Sequence, residues 1–194
     1  MNEELPKLID EAQAITRDAQ KIFGHLSTEQ LNWKPNANQW SVAQCFEHLI
    51  VIDAAGFPRI KKIANGEYKP SLQERLPLLP RFFGSMIRKA VEPQAKRKFK
   101  ADTRFEPASS TIRGDIIAKF KTHQEEVVGL MKMTQRMDLK KVIITSPVAS
   151  FATYSLLDAY KILVAHERRH MQQAQRVMAA SAFPRDERRS FAAG

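Results

Sequence analysis

This 194-residue chain lacks the sequence features of disulfide-rich, membrane-spanning and secreted proteins. It contains one cysteine, which excludes an intramolecular disulfide framework and favours a reducing compartment. It has no apolar run near the roughly 20 residues that a membrane-spanning helix requires. The first residues, Met-Asn-Glu-Glu-Leu-Pro, form neither a basic leader nor the apolar core of a signal peptide. We therefore expect a soluble, cytoplasmic protein without a membrane span.

Glycine is also scarce, with 7 residues, and apolar residues recur at helical spacing over long stretches. Hydrophobic residues make up 43% of the chain and charged residues 27%, which is ordinary for a single globular domain. The net charge of +10 allows two interpretations. The basic residues could form a patch that binds nucleic acid or anionic membranes, or they could be spread over solvated helix faces. We favour the second because no groove-reading or base-stacking element accompanies the basic residues.

The apolar spacing predicts four long helices and one short one. Gly24 closes the first helix, and Ser27 and Ser41 are N-cap candidates for the next two. Residues 138 to 153 form a connection after the third long helix. The predicted long helices span residues 5 to 23, 41 to 64, 109 to 136 and 154 to 178, and the short one spans residues 28 to 31.

Residues 67 to 108 form a proline-rich insertion that concentrates basic residues between 81 and 104. It has room for one helix, at about 81 to 91, and is far longer than a usual loop. We expect it to cross the end or side of a bundle, which makes the third long helix parallel to the second. Residues 181 to 194 lack periodicity and are expected to form a loose tail. The sequence thus predicts an all-α four-helix bundle, one domain over residues 1 to 180, with a long crossover insertion between helices 2 and 3.

Three of the five histidines lie on apolar stripes that should face the core. His166 and His170 are four residues apart and project from one face of the last helix. His48 occupies the centre of the apolar stripe of the second long helix. Each could be a structural residue that is hydrogen-bonded to a neighbour. Together, on facing stripes, they could hold zinc, nickel, iron or cobalt and leave a position open for water or substrate.

Other polar residues are weaker candidates for the same site. Gln173 lies one turn after His170 and either orients a histidine or is an ordinary polar residue at the mouth of the bundle. Cys45 lies almost one turn before His48. It could be a fourth ligand or a reactive thiol, but we favour its interpretation as a small core residue. Three further residues could approach the site, namely His123 on the third long helix and the candidate general bases Glu47 and Asp53.

Glu167 follows His166 but lies about 100° round the helix from the histidine face. We expect it to face solvent or a neighbouring helix, and we do not interpret this segment as a protease motif. His25 follows the glycine that ends the first helix and is expected at the surface or as a C-cap. Trp33 and Trp40 are interpreted as packing anchors, with Trp40 expected to cover the metal end of the bundle.

Two segments resemble the signature of the DinB-like superfamily of metalloenzymes. The first reads Leu-Ser-Thr-Glu-Gln-Leu-Asn-Trp-Lys-Pro over residues 26 to 35 and Trp-Ser-Val-Ala-Gln-Cys-Phe-Glu-His-Leu over residues 40 to 49. The second is the His-x-x-x-His-x-x-Gln pattern of residues 166 to 173. Order and spacing agree with the family from about residue 5 to residue 180.

The resemblance implies a four-helix bundle of up-down-down-up topology, with a divalent metal held by His48, His166 and His170. It also implies thiol transfer to an electrophile or hydrolysis of a small amide-like adduct. Zinc, nickel and iron are the candidate ions, and the substrate is a small molecule, with a low-molecular-weight thiol among the candidates. An ion on three neutral imidazoles can lower the pKa of bound water or activate a thiolate.

Two other interpretations stay open. The chain could be a non-catalytic, metal-containing, stress-related binding protein, dimeric through exposed bundle faces. It could also be a basic nucleic-acid-binding bundle, whose affinity would fall steeply with salt. We do not expect nucleic acid as a partner, since the family name refers to damage-inducible genes and is no sign of DNA binding.

Overall fold

A computed structural model describes residues 3 to 75, 79 to 92, 103 to 107 and 111 to 185. None of the helices in these ranges has the length and apolarity that crossing a bilayer requires. The helices are α1 (Glu4–Phe23), α2 (Thr28–Asn32), α3 (Val42–Ala54), α4 (Phe57–Ala64), α5 (Leu79–Val91), α6 (Ile116–Met133) and α7 (Leu156–Met178). The strands are β1 (Ile143–Thr145) and β2 (Thr153–Ser155), and short 3-10 turns lie at Gln73–Arg75 and Thr103–Phe105.

Two helices begin at caps that the sequence encodes. The backbone N–H of Gln44 donates to Ser41 Oγ, and the backbone N–H of Ser41 donates to the Gln44 side chain, with both distances 3.1 Å. Ser27 and Gln30 form the same capping box at the start of α2. Each box satisfies two backbone donors that have no partner within the helix. The two predicted N-caps are therefore confirmed, and α3 begins where the sequence places it.

The predicted second long helix is two helices in the structure. α3 ends at Ala54, and α4 begins at Phe57 with Pro58 in its first turn. Proline lacks a backbone N–H, and inside a helix its ring clashes with the carbonyl four residues earlier, but it is tolerated in a first turn. The prediction of one continuous helix to residue 64 is therefore wrong, because the chain restarts its helix around Gly56 and Pro58.

The insertion between α4 and α6 adds α5 to the side of the framework. This helix was predicted within the insertion, and it packs against both α7 and β2. A Cβ atom at Gly84 would lie 3.0 Å from Asp158 Oδ2, so the glycine permits the close approach of α5 to the start of α7. Residues 93 to 102, which hold part of the predicted basic segment, lie outside the described residues.

The third long helix is shorter than predicted, and the connection after it contains a sheet. α6 begins at Ile116, and Ile112 is buried in an irregular segment before it. β1 and β2 pair antiparallel, with Ile144 opposite Tyr154, in a stretch rich in β-branched residues. The chain is mainly helical, as predicted, but the all-α prediction omits this sheet, which takes the predicted first residues of the last helix.

Four long helices, α1, α3, α6 and α7, share one core. α1 and α3 each pack against both α6 and α7. The fully buried ring of Phe46 on α3 lies edge-on to Phe23 of α1 at 5.3 Å and to Phe120 of α6 at 4.9 Å between centroids. These aromatic contacts join three of the four helices at the centre of the core. The up-down-down-up order of the helices stays a prediction.

The chain continues to pack after α7. The buried ring of Phe183 meets Trp33 edge to face, with 5.5 Å between centroids. Gln30 Nε2 donates a hydrogen bond of 2.9 Å to the carbonyl oxygen of Pro184. The beginning of the predicted tail therefore covers α2, and residues 186 to 194 lie outside the described residues.

Candidate metal centre

Three histidine side chains converge between α3 and α7. His48 comes from α3, and His166 and His170 come from successive turns of α7. One ring nitrogen of each lies within 4.8 Å of the other two. The Nε2 atoms of His166 and His170 are 3.1 Å apart. The structure thus brings together the three residues that the sequence singled out, and their role as metal ligands stays a prediction.

A backbone carbonyl fixes the orientation of the His48 ring. His48 Nδ1 lies 2.7 Å from the carbonyl oxygen of Phe105. Since a carbonyl oxygen only accepts hydrogen bonds, Nδ1 carries the proton and donates it. The lone pair is then on Nε2, the atom through which His48 can bind a metal. Phe105 belongs to the insertion, so the insertion helps to build the site.

Burial favours the neutral form of all three imidazoles. It lowers the pKa of His166 to about 3, with smaller contributions from His48 and the Arg169 guanidinium. The pKa of His170 is well below its ordinary value, chiefly because of burial and then because of His166. Burial also lowers the pKa of His48, although the hydrogen bond to Phe105 opposes the shift. Neutral imidazoles offer their lone pairs without first losing a proton, as metal binding requires.

The donor set fits a divalent ion. Imidazole nitrogens bind zinc at about 2.0–2.1 Å, so two of them in a tetrahedral arrangement lie roughly 3.3 Å apart. The 3.1 Å between the Nε2 atoms of His166 and His170 is close to that separation. Among the described residues no carboxylate or thiol joins the three histidines. An ion with these three ligands would keep a coordination position for water or a substrate.

Trp40 covers the histidine cluster. Its ring is stacked on His170, with centroids 5.6 Å apart and planes at 20°, and it is tilted over His48 at 4.9 Å. Trp40 directly precedes the Ser41 cap, so the start of α3 determines where the indole lies. The indole therefore lies over the histidine end of the bundle, as the sequence predicts.

The other candidates lie apart from the cluster or at its edge. Cys45 is 1% exposed, and burial raises the pKa of its thiol to about 12, so it is a core residue and not a reactive thiol. His25 is exposed, and Glu47 is half-buried and not grouped with the histidines. Gln173 is half-buried beside His170, where its side chain opposes the lowering of the His170 pKa.

A second buried polar cluster consists of Asp53, His123, Gln124 and Glu167. Of the two positions expected for Glu167, the structure shows the one that faces neighbouring helices, with the residue 0% exposed. His123 Nε2 lies 3.7 Å from Asp53 Oδ2, which is too far for a hydrogen bond, and the ring stacks on Phe57. His123 therefore does not approach the three histidines.

The second polar cluster holds groups whose charged forms are disfavoured. Burial raises the pKa of the Asp53 and Glu167 carboxyls, and the Asp53 charge adds to the rise at Glu167. Burial also lowers the pKa of His123 to about 4. Each of the four side chains has a buried polar atom without a hydrogen-bond partner in the described part of the chain. Asp53 lies beside His123 and is not grouped with the ring nitrogens of the three histidines, so it is a poor candidate for a general base at that centre.

Residues 166 to 170 spell His-Glu-x-x-His, the pattern in which a glutamate assists two zinc-bound histidines in metalloproteases. Glu167 lies in the second polar cluster and does not join the ring nitrogens of the histidines. We therefore assign it no role as a protease base.

Sequence reasoning missed two parts of this arrangement. The carbonyl of Phe105 acts through the backbone, so no residue type in the sequence signals it. The second polar cluster did leave a signal, since Asp53, Gln124 and Glu167 lie on helices beside apolar residues. A polar side chain on the core side of a helix needs a partner from another helix, and the sequence alone does not show which one.

Comparison with known proteins extends over most of the chain. The sequence model of the DinB superfamily matches residues 11 to 174, which include His48, His166 and His170. The uncharacterized protein YuaE of Bacillus subtilis (strain 168) is 24% identical over 153 residues, covering 78% of this chain and 85% of that protein. No solved structure gives a significant match. The extent of the family match shows that the chain belongs to the DinB superfamily.

Proposed function

We propose that the chain is a divalent-metal-dependent enzyme whose ligands are His48, His166 and His170. The convergence of one nitrogen from each ring within 4.8 Å supports this proposal. The family match spans all three residues. The bundle that holds them is proposed to follow the up-down-down-up order of the family. Zinc, nickel and iron are the candidate ions, since each accepts imidazole ligands.

The proposed reaction is thiol transfer to an electrophilic small molecule or hydrolysis of a small amide-like adduct. A divalent ion on three imidazoles supplies Lewis acidity, which lowers the pKa of water or of a low-molecular-weight thiol. Phe105 holds His48 in the tautomer that presents Nε2. The Trp40 ring over His48 and His170 excludes bulk water from that side. Gln173 is proposed to orient His170.

Metal analysis of the purified protein tests the ligand assignment. We expect about one divalent ion per chain and its loss from the His48→Ala and His166→Ala variants, because each variant removes one of the three proposed protein ligands. His25→Ala is the matched control, since His25 is exposed and lies outside the cluster. A metal content that is unchanged by the loss of both His48 and His166 contradicts the proposal.

A non-catalytic metal-containing binding protein is the second candidate. It is favoured by the absence, among the described residues, of a carboxylate or thiol grouped with the histidines. A panel of thiol-conjugation and amide-hydrolysis assays on chelated and reconstituted protein separates the two functions. Activity restored by one metal supports the enzyme. No activity of the fully metal-loaded protein in any of these assays supports the binding protein.

A further inference from the structure

A cavity next to the histidine centre has walls rich in positive charge. Its volume is about 800 Å³, within the range of small-molecule sites. It is lined by the basic residues Arg59, Lys62, Lys69 and Arg104 and by one acidic residue, Glu67. The whole chain has 31 basic and 21 acidic residues, so the cavity concentrates positive charge well beyond the average.

Two lysines of this cavity have no carboxylate partner among the described residues. Lys62 and Lys69 form no ion pair with any residue that the structure describes, and both are exposed. An ammonium group without a carboxylate partner on a concave surface attracts anions more strongly than one on a paired surface. Other lysines do pair with a carboxylate, namely Lys61, Lys119, Lys140 and Lys161.

A buried carboxylate holds one wall of the cavity in place. Glu74 accepts a hydrogen bond of 2.6 Å from the Tyr68 hydroxyl and two of 2.7 Å from Thr145, one from its backbone N–H and one from its hydroxyl. Arg59 Nη1 donates to the carbonyl oxygen of the same Thr145. Tyr68 and Arg59 both line the cavity, so these bonds fix two of its side chains to β1. Groups that are already ordered lose less entropy when a ligand binds.

Phe105 connects the cavity with the histidine centre. It lines the cavity, and its carbonyl oxygen accepts the hydrogen bond from His48 Nδ1. With Tyr68, it adds aromatic surface to the basic walls. The lining thus combines donors for an anionic group with apolar surface for the rest of a small molecule.

We propose that the basic cavity, defined by Arg59, Lys62, Lys69 and Arg104, binds the carboxylate or phosphate group of a small molecule. The shared chemistry is an oxyanion held by guanidinium and ammonium donors. That this molecule is also the substrate of the histidine centre rests on the proposed function, whereas the anion binding does not. A concave site with ordered walls suits a compact anion better than a nucleic-acid chain, which needs an extended basic surface.

Calorimetric titration of the full chain with inorganic phosphate and with succinate, at low ionic strength, tests the proposal. The same titration of a His48→Ala/His166→Ala variant excludes binding through a metal, so failure of the metal proposal does not affect the result. Lys62→Gln/Lys69→Gln removes two cavity charges that support no described contact. Lys21→Gln/Lys132→Gln is the matched control, since both of its lysines are exposed and lie outside the cavity lining.

We expect the wild type and the His48→Ala/His166→Ala variant to bind at least one of the two anions with equal affinity. Lys62→Gln/Lys69→Gln should weaken that binding at least about tenfold, and the control Lys21→Gln/Lys132→Gln should change it less than about twofold. The tighter probe identifies carboxylate or phosphate as the preferred group. Equal weakening by the two pairs, or no binding of either anion, overturns the proposal. The proposal is also overturned if a short single-stranded DNA binds more tightly than both anions and the two double variants weaken that binding equally.

Discussion

His48 and His170 differ in what holds each ring in place. His48 has a partner for Nδ1 in the Phe105 carbonyl, 2.7 Å away. The Nδ1 atom of His170 is buried and has no hydrogen-bond partner among the described residues, although Gln173 is nearby. Metal-binding histidines normally have their second nitrogen held by another group. The orientation of the His170 ring therefore depends more on packing than that of His48, and the Trp40 ring stacked on it provides that packing.

Cys45 should be inert in the folded protein. Burial raises its thiol pKa from 9.0 to about 12, which lowers the thiolate fraction at about pH 8 roughly a thousandfold. A disulfide reagent should therefore label the native chain far more slowly than the chain in urea. The measurement is unambiguous because the chain has one cysteine. Rapid labelling of the native protein would support the interpretation of Cys45 as a reactive thiol. Loss of metal from the Cys45→Ala variant would support its interpretation as a fourth ligand.

At the scale of single elements, the start of α3 determines two parts of the centre. The capping box of Ser41 and Gln44 begins the helix that carries His48. Trp40, which stacks on His170, is the residue directly before it. A cap that frays would therefore move the indole and the first turn of α3 together.

Ser41→Ala should destabilise the protein more than Ser27→Ala. Both serines belong to capping boxes, but Ser41 is 1% exposed, whereas Ser27 is exposed and water can replace its hydroxyl. We expect a loss of about 1–2 kcal/mol in the free energy of unfolding at Ser41 and about 0.5 kcal/mol at Ser27. Urea denaturation of the two variants measures the difference. Equal losses would show that burial of the cap has no influence.

Element boundaries were predictable where a local signal exists. The caps at Ser27 and Ser41 are readable because a side chain bonds to its own segment. The break before α4 also has a local signal, since proline kinks or breaks a helix interior, but the prediction of a continuous helix to residue 64 did not take Pro58 into account. The start of α6 at Ile116 was not, because Ile112 is apolar and buried although it lies outside the helix. Burial alone does not specify helix.

For the whole molecule, the sequence predicted which residues face the core but not what they meet there. Helical spacing was sufficient to place the three histidines on inward faces. It gave no information on the joint between the insertion and the bundle, where Phe105 bonds to His48 and Glu74 bonds to Thr145. These contacts join residues that are 57 and 71 positions apart. Local pattern cannot select such partners.

Asp53→Asn should reduce the pH dependence of global stability. Burial raises the Asp53 pKa above 3.8, so the folded chain binds a proton that the unfolded chain has released. That stabilising contribution is complete below about pH 4 and is lost as the pH rises through the folded pKa. Asparagine does not titrate, so the stability of the variant should increase relative to that of the wild type as the pH rises. Unfolding by urea at several values from roughly pH 5 to 9 measures this gain.

The exposed Asp18→Asn is the control for this comparison. Its stability curve should run parallel to that of the wild type. A parallel curve for Asp53→Asn as well would contradict the assignment of a raised pKa to this carboxyl.

Metal binding should stabilise the entire fold, because the three proposed ligands come from α3 and α7, which are far apart in the unfolded chain. An ion that binds only the folded state at a hundred times its Kd adds about 2.7 kcal/mol to the free energy of unfolding. Zinc, nickel and ferrous iron, added separately to chelated protein, should each raise the melting temperature in order of affinity. His170→Gln should abolish the rise and the exposed His25→Gln should keep it, since glutamine preserves polarity at both positions but removes an imidazole ligand at one. An equal rise in the two variants would mean that the ion binds elsewhere, and the convergence of His48, His166 and His170 would then be only a feature of the buried core.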